Sequence, residues 1–199
     1  MASTFTRGRG GRVKVRLGDA DRGVVAGLLE AVAEMLEPPS PSPPPKGAAE
    51  PQPSEEQALF AQLEAQLTVD PPADPAVARL LPDASRDDPE VAQSFRRLTE
   101  QDLRERKRGA LGLAAAALRR PAPVVLDDSE AQALLKGLTD VRLVLAQRLG
   151  IETDEDAEFL HAALAAGARG GPQEWAKAAE LYEVVTYLQE ELVHTLLPS

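Results

Sequence analysis

Apolar residues recur every three or four positions along most of this chain, in segments that end at proline or glycine. The clearest run places Leu134, Leu138 and Val141 on one side of an α-helix, because such a helix turns once in about 3.6 residues. Pro121 and Gly150 fall where the periodicity stops, as expected of residues that end helices. The pattern predicts an all-α fold, a multi-helix bundle-like domain.

Capping residues and prolines set the boundaries of the predicted helices. The predicted ranges are 19–37, 54–67, 75–81, 88–118, 128–149, a segment from Thr153 to the glycines that begin at Gly167, and 172–196. The faces predicted to be buried include Val24, Leu28, Val32 and Met35 in the first helix and Val91, Phe95 and Leu98 in the long helix.

The N-terminal segment has a different period. From Arg12 to Leu17 polar and apolar residues alternate strictly, as in a half-buried strand, and a glycine-rich turn precedes them. We therefore predict a β-hairpin appendage over residues 1–18, with its apolar side chains resting on the helices, because a lone hairpin is barely stable in water. Its outer face would carry Arg12, Lys14 and Arg16.

Residues 38–53 contain eight prolines, which exclude helix and strand because proline lacks an amide donor and fixes φ. The composition predicts a disordered, extended linker loop inside a single domain that spans residues 1–199. Pro41 and Pro44 have the PxxP spacing of polyproline ligands, and the alternative is a tolerated loop insertion.

The amino-acid composition limits the kinds of site that the chain can form. Aromatic residues make up 4%, so the core must be Leu, Val and Ala, and the absence of cysteine excludes thiolate chemistry and Cys-ligated zinc. A catalytic triad would need His161 or His194, and neither has a matching set of partners. We expect no enzyme activity, no catalytic residues, no metal and no cofactor.

The sequence also bears on location. No apolar run approaches the ~20 residues that a membrane helix needs. Residues 1–11 lack the apolar core of a secretory signal. We expect a cytoplasmic protein with no membrane partner.

The net charge of −10 is unevenly distributed. Residues 1–22 carry +4, residues 23–90 carry −10, residues 91–148 carry +4 and residues 149–199 carry −8. Such alternation would support docking within the molecule or a local basic surface.

The first candidate site is a basic stripe on the long helix. Arg97, Arg104 and Arg108 are spaced so that they project from one side, and such clusters neutralise phosphates or bind acidic partners. The alternative is a solvated face, since Glu100 and Glu105 are interleaved and could form local ion pairs.

The second candidate is the N-terminal Arg-Gly-rich stretch, which includes Arg9 and Arg12. It could act as an arm that binds nucleic acid, and the alternative is a turn with solubilising charges. Its glycines do not form a phosphate-binding loop, because no Lys-Ser or Lys-Thr pair follows them.

The third and fourth candidates lie on later helices. Asp140, Arg142 and Arg148 border an apolar face, where charges usually form structural ion pairs; an anion pocket is the alternative. Trp175, Tyr182 and Gln189 share an apolar stripe and would anchor either the core or an interface.

Three segments carry a family resemblance. They are Leu80-Leu81-Pro82-Asp83-Ala84 with Arg86-Asp87-Asp88-Pro89-Glu90 and Phe95-Arg96-Arg97-Leu98-Thr99, then Asp140 to Gly150, then Tyr182 with Leu188-Gln189-Glu190 and Leu192-Val193. In this order they resemble an actinobacterial family of uncharacterised proteins, DUF2017. Genes of the family tend to lie near those for the ClpS adaptor and for cysteine biosynthesis. The family has been linked to transcription under oxidative stress through a redox-active cysteine pair, as in the actinobacterial oxidative stress regulator.

The resemblance implies a non-enzymatic regulatory protein that contacts DNA or the transcription machinery. Because this chain has no cysteine, its own thiol oxidation cannot be the switch. The alternative is a protein–protein adaptor linked to Clp proteolysis or to the neighbouring cysteine-biosynthesis cluster. We expect a protein partner, keep DNA as a candidate partner, and note that the long helices would allow a homodimer.

Overall fold

A computed structural model describes residues 4–38, 72–85, 88–166 and 173–197. In these ranges the helices are α1 Asp19–Met35, α2 Pro75–Leu80, α3 Pro89–Leu118, α4 Asp128–Leu149, α5 Asp154–Ala165 and α6 Gln173–Leu196. The strands are β1 Phe5–Arg7, β2 Val13–Val15 and β3 Val125–Leu126. The predicted all-α class is confirmed, with a small antiparallel sheet beside the helices.

Side-chain caps fix the helix starts that the sequence predicts. The Asp88 carboxylate accepts the amides of Glu90 and Val91 at the start of α3, with Pro89 in the first turn. The Thr153 hydroxyl accepts the Asp156 amide at the start of α5. At the other end of α4, Gly150 has a φ of 74°, a left-handed conformation that glycine adopts without strain.

The helices enclose one apolar core. α3 packs against α1 and α4, α4 packs against α2 and α6, and α5 packs mainly against α6. Leucine, valine and alanine supply most of the buried side chains, as the composition predicts.

The predicted hairpin is present but belongs to a three-stranded sheet. β2 lies between β1 and β3, with Phe5 opposite Val15 and Val13 opposite Leu126. These four inward side chains join the helical core. The hairpin is therefore built into the domain, and β3, which follows α3, secures it to the helices.

One predicted face is wrong, and another is only partly right. In α1, Val32 is buried and Leu28 and Met35 pack partly buried against the core, as predicted, whereas Val24 is exposed. The side of α1 with Val25 and Leu29 is buried instead, because adjacent apolar pairs allow two stripes one residue apart. In α3, Val91 and Phe95 are each 51% exposed and Leu98 is 79% exposed. The core-facing side of α3 instead carries Ala92, Leu111, Ala114, Ala115 and Leu118.

Some predictions lie outside the described residues. These are the proline-rich loop beyond Pro38, up to residue 53, and the helix over 54–67.

Candidate functional site

The basic stripe of α3 does not form an open row of cations. Arg104 donates to the Glu100 carboxylate at 2.7 Å and to the Leu36 carbonyl at 3.4 Å, and its side chain is largely buried. Arg108 pairs with Glu37 at 2.9 Å. Both arginines thus lie against the C-terminal end of α1, where carbonyl groups attract cations. They join two helices, and only Arg97 of the three is exposed, with a hydrogen bond to the Ser94 hydroxyl at 3.2 Å.

A second charged cluster lies next to Arg104, beneath the N-terminal half of α3. The Arg96 guanidinium contacts Asp83 and approaches Glu100 to 3.8 Å, and both the Arg96 and the Glu100 side chains are 9% exposed. Its Nη1 is buried without a hydrogen-bond partner in the described part of the chain. The adjoining pocket, between Leu81 and Leu103, measures about 20 Å³, which suits one water molecule and no substrate.

The outer face of the sheet differs from the α3 stripe. Arg12, Lys14 and Arg16 are exposed on alternate positions of one continuous segment, and Val13 and Val15 between them are buried. None of these three cations forms an ion pair or side-chain hydrogen bond with a described residue. Lys14 lies opposite Thr6 and Val125, so this member of the sheet cations, as we call the three, has no acidic cross-strand neighbour. The same register continued by one residue places Arg12 opposite Asp127, the side chain of which caps α4. The side chain of Arg9 lies outside the described part of the structure.

The predicted ion-pair residues of α4 are separated by the fold. Asp140 is 5% exposed and accepts a hydrogen bond from Lys107 of α3 at 2.6 Å. Arg148 pairs with Asp74, which also caps α2, at 2.5 Å. Arg142 is half-buried and forms no ion pair within the described ranges. These residues connect helices and do not converge on an anion pocket.

The aromatic and amide residues of α6 contribute to packing. Tyr182 is buried and Trp175 packs partly buried against the core. Gln189 donates to the Thr139 hydroxyl of α4 at 3.1 Å. These contacts fit the interpretation of the stripe as part of the core better than its interpretation as an exposed anchor.

His161 and Glu183 form an exposed pair between α5 and α6, with Nδ1 and Oε2 2.5 Å apart. The hydrogen bond to Glu183 and the charge of that carboxylate raise the pKa of His161 above its ordinary value. His194 lies exposed in the last turn of α6.

Metal-binding and membrane-spanning features are absent from the described ranges. No three acidic or histidine side chains there could together hold a metal ion. Asp88 is a helix cap and Asp83 an arginine partner, while Asp87 lies outside these ranges. None of the helices given above is long and apolar enough to cross a membrane.

Arg22 is a charged residue that sequence reasoning missed. It is 6% exposed and donates to the carbonyls of Leu17, Leu118 and Arg120 at 3.2, 3.1 and 3.3 Å. It thereby joins the start of α1 to the end of α3. Its spacing from Val25 and Leu29 places it on the buried stripe of α1, and that spacing is visible in the sequence.

Comparison with known proteins gives one match. The family model described as "Domain of unknown function (DUF2017)" matches residues 2–196. No curated protein and no solved structure matches the chain.

Proposed function

Because the chain belongs to the DUF2017 family, whose function is unknown, we propose its function from its surface. The protein is a non-enzymatic transcriptional regulator that contacts DNA through the sheet cations. The observation that supports this proposal is that Arg12, Lys14 and Arg16 are exposed and have no ion-pair partner in the described part of the chain.

Free cations matter because a phosphate must otherwise compete with a carboxylate. Arg104 and Arg108 already pair with Glu100 and Glu37, so a phosphate would have to displace those acids. The sheet cations need no such exchange. Alternate residues of a strand lie about 6.8 Å apart, so the row can contact successive anionic groups of a polymer. Because the whole chain carries −10, we expect the interaction with DNA to be sensitive to salt.

The test is fluorescence anisotropy of a labelled duplex at several salt concentrations, with the promoter of the protein's own operon and a random duplex. Changing Arg12, Lys14 and Arg16 together to Ala should weaken binding at least about tenfold. It should also reduce the salt slope by about 0.9 for each phosphate that the variant no longer neutralises.

The matched control removes three other solvent-accessible positive charges, Arg108, Arg119 and Arg148, each of which is ion-paired. This control should bind DNA nearly as well as the wild type. Equal weakening in both triple variants would show that only net charge matters. No binding by the wild type would exclude the DNA proposal.

A protein–protein adaptor is the second candidate, supported by the acidic C-terminal part. Residues 149–199 carry −8, and Phe159 on α5 is 76% exposed among these acids. An apolar side chain surrounded by acids suits a basic amphipathic segment of a partner. The expected outcome of partner capture is a protein that binds the wild type and the Ala variant of the sheet cations. The Phe159→Ala variant should not bind that partner.

A further inference from the structure

The solvent-facing side of α3 has bulky apolar residues at one end and very small residues at the other. Val91, Phe95 and Leu98 recur at intervals of four and three residues, so they form one exposed stripe. This bulky row contradicts the usual burial of large apolar side chains on an amphipathic helix. Phe95 also lines the small pocket beside Leu81 and Pro82, and about half of its surface remains exposed to solvent.

The C-terminal half of the same face carries the small row, Gly109, Gly112 and Ala116, all exposed, with Leu113 (41% exposed) beside it. A Cβ atom added to Gly109 or to Gly112 would meet no other atom within 4 Å. Glycine costs about 1 kcal/mol relative to alanine in a helix, so the two glycines weaken α3 without relieving any close approach in the monomer. The open backbone leaves room for side chains from outside the molecule.

The two rows match each other when α3 is read in opposite directions. The bulky row has intervals of four and then three residues from Val91 to Leu98. The small row has the same intervals from Ala116 back to Gly109. In an antiparallel pair of α3 helices, Val91, Phe95 and Leu98 would therefore face Ala116, Gly112 and Gly109 of the second copy.

We infer that the bulky row and the small row form a two-fold symmetric homodimer interface between α3 helices. A two-fold interface requires a self-complementary surface, in which residue i contacts residue j and j contacts i. The α3 face meets this requirement, since each bulky side chain has a small counterpart on the same helix. The inference does not depend on DNA binding.

The polar residues between the two rows lie near the two-fold axis. Asp102, Glu105 and Arg106 are exposed there; in this register Asp102 of one copy would face Glu105 of the other, and Arg106 would lie one position further along. The register therefore depends on the two rows, because a shift of the helices would leave the bulky side chains without their small counterparts.

The first experiment is analytical ultracentrifugation of the full chain over a range of concentrations. The wild type should be a dimer, and Leu98→Glu should raise its dissociation constant at least about tenfold. Phe159→Glu is the matched control, since it places the same charge at an equally exposed apolar position on α5. The dissociation constant of the Phe159→Glu dimer should equal that of the wild type. A monomeric wild type, or a dimer that persists in Leu98→Glu, would overturn the inference.

The second experiment tests the register and does not depend on loss of association alone. Phe95→Glu and Gly112→Lys should each weaken the homodimer, and circular dichroism should show that both variants remain helical. When mixed, they should form a heterodimer, because one Glu faces one Lys while the other side of the interface keeps Phe against Gly. Failure of the mixture to associate better than either variant would refute the antiparallel register.

Discussion

At the residue scale, charged side chains of this protein are held in two ways. Arg22 and Asp140 are nearly buried, and each is satisfied across element boundaries, by backbone carbonyls and by Lys107 respectively. Removing a partner from such a group leaves an unsatisfied buried charge, which is strongly destabilising. Exposed pairs such as His161 with Glu183 contribute less, because water and salt screen them.

The raised pKa of His161 gives a prediction about pH. A histidine whose pKa is higher in the folded state stabilises the fold fully below its ordinary pKa of 6.5, and this contribution is lost as pH rises through the raised value. An NMR titration should therefore place the pKa of His161 above 6.5. Glu183→Gln should move the pKa back towards that value, and an unchanged titration in the variant would show that the pair does not form in solution.

Charged residues also show what the sequence could predict. It predicted structural ion pairs for Arg142 and Arg148, which border an apolar helix face, with Asp140 as a candidate partner. It could not identify Lys107 as the partner of Asp140 or Asp74 as the partner of Arg148, since those ion pairs join residues far apart in the sequence. Glu100, four residues before Arg104 on α3, was visible in the sequence as a local partner of Arg104. Only the position of α1 shows that the Leu36 carbonyl also accepts a hydrogen bond from Arg104.

At the element scale, boundaries were more predictable than faces. Asp88, Thr153 and Gly150 act locally, through the backbone groups next to them, so the sequence alone located them. The buried side of α3 depends on which helices surround it. Because α3 carries apolar residues on two sides, its periodicity could not distinguish the core side from the side with Phe95 and Leu98.

Gly137 provides the test of how closely the central helices pack. A Cβ atom at this position of α4 would lie 2.5 Å from Leu29 Cδ2 and 3.4 Å from Leu111 Cδ2, and both leucines are fully buried. Alanine is favoured over glycine in a helix by about 1 kcal/mol, and overpacking costs about 1–3 kcal/mol. We expect Gly137→Ala to lower the free energy of unfolding by about 1 kcal/mol in urea denaturation.

The matched control for Gly137 is Gly23→Ala in α1, where an added Cβ would meet no atom within 4 Å. This variant should gain up to about 1 kcal/mol from helix propensity alone. If both variants gained stability equally, Leu29 would be free to move, and α1, α3 and α4 would pack less closely than we infer.

At the scale of the whole molecule, the two ends of the described chain meet. The Thr195 hydroxyl and the Arg7 guanidinium donate to the carbonyls of Phe5 and of Leu196, at 3.5 and 3.3 Å. The Thr4 amide donates to the Glu191 carboxylate at 3.2 Å. β1 therefore rests on the last turns of α6, and the sheet links the end of α3, the start of the chain and α6.

Phe5 tests whether this linkage makes the domain cooperative. Its side chain is 2% exposed within the common core, so Phe5→Ala should lower the free energy of unfolding by about 3–5 kcal/mol in urea denaturation. Val125→Ala, on the exposed side of the same sheet, should change it by less than about 1 kcal/mol. Because β1 packs on α6, hydrogen exchange in Phe5→Ala should accelerate both in the strands and in the last turns of α6. Faster exchange confined to the strands would mean that the hairpin is an appendage after all, and that the helices form the cooperative unit without it.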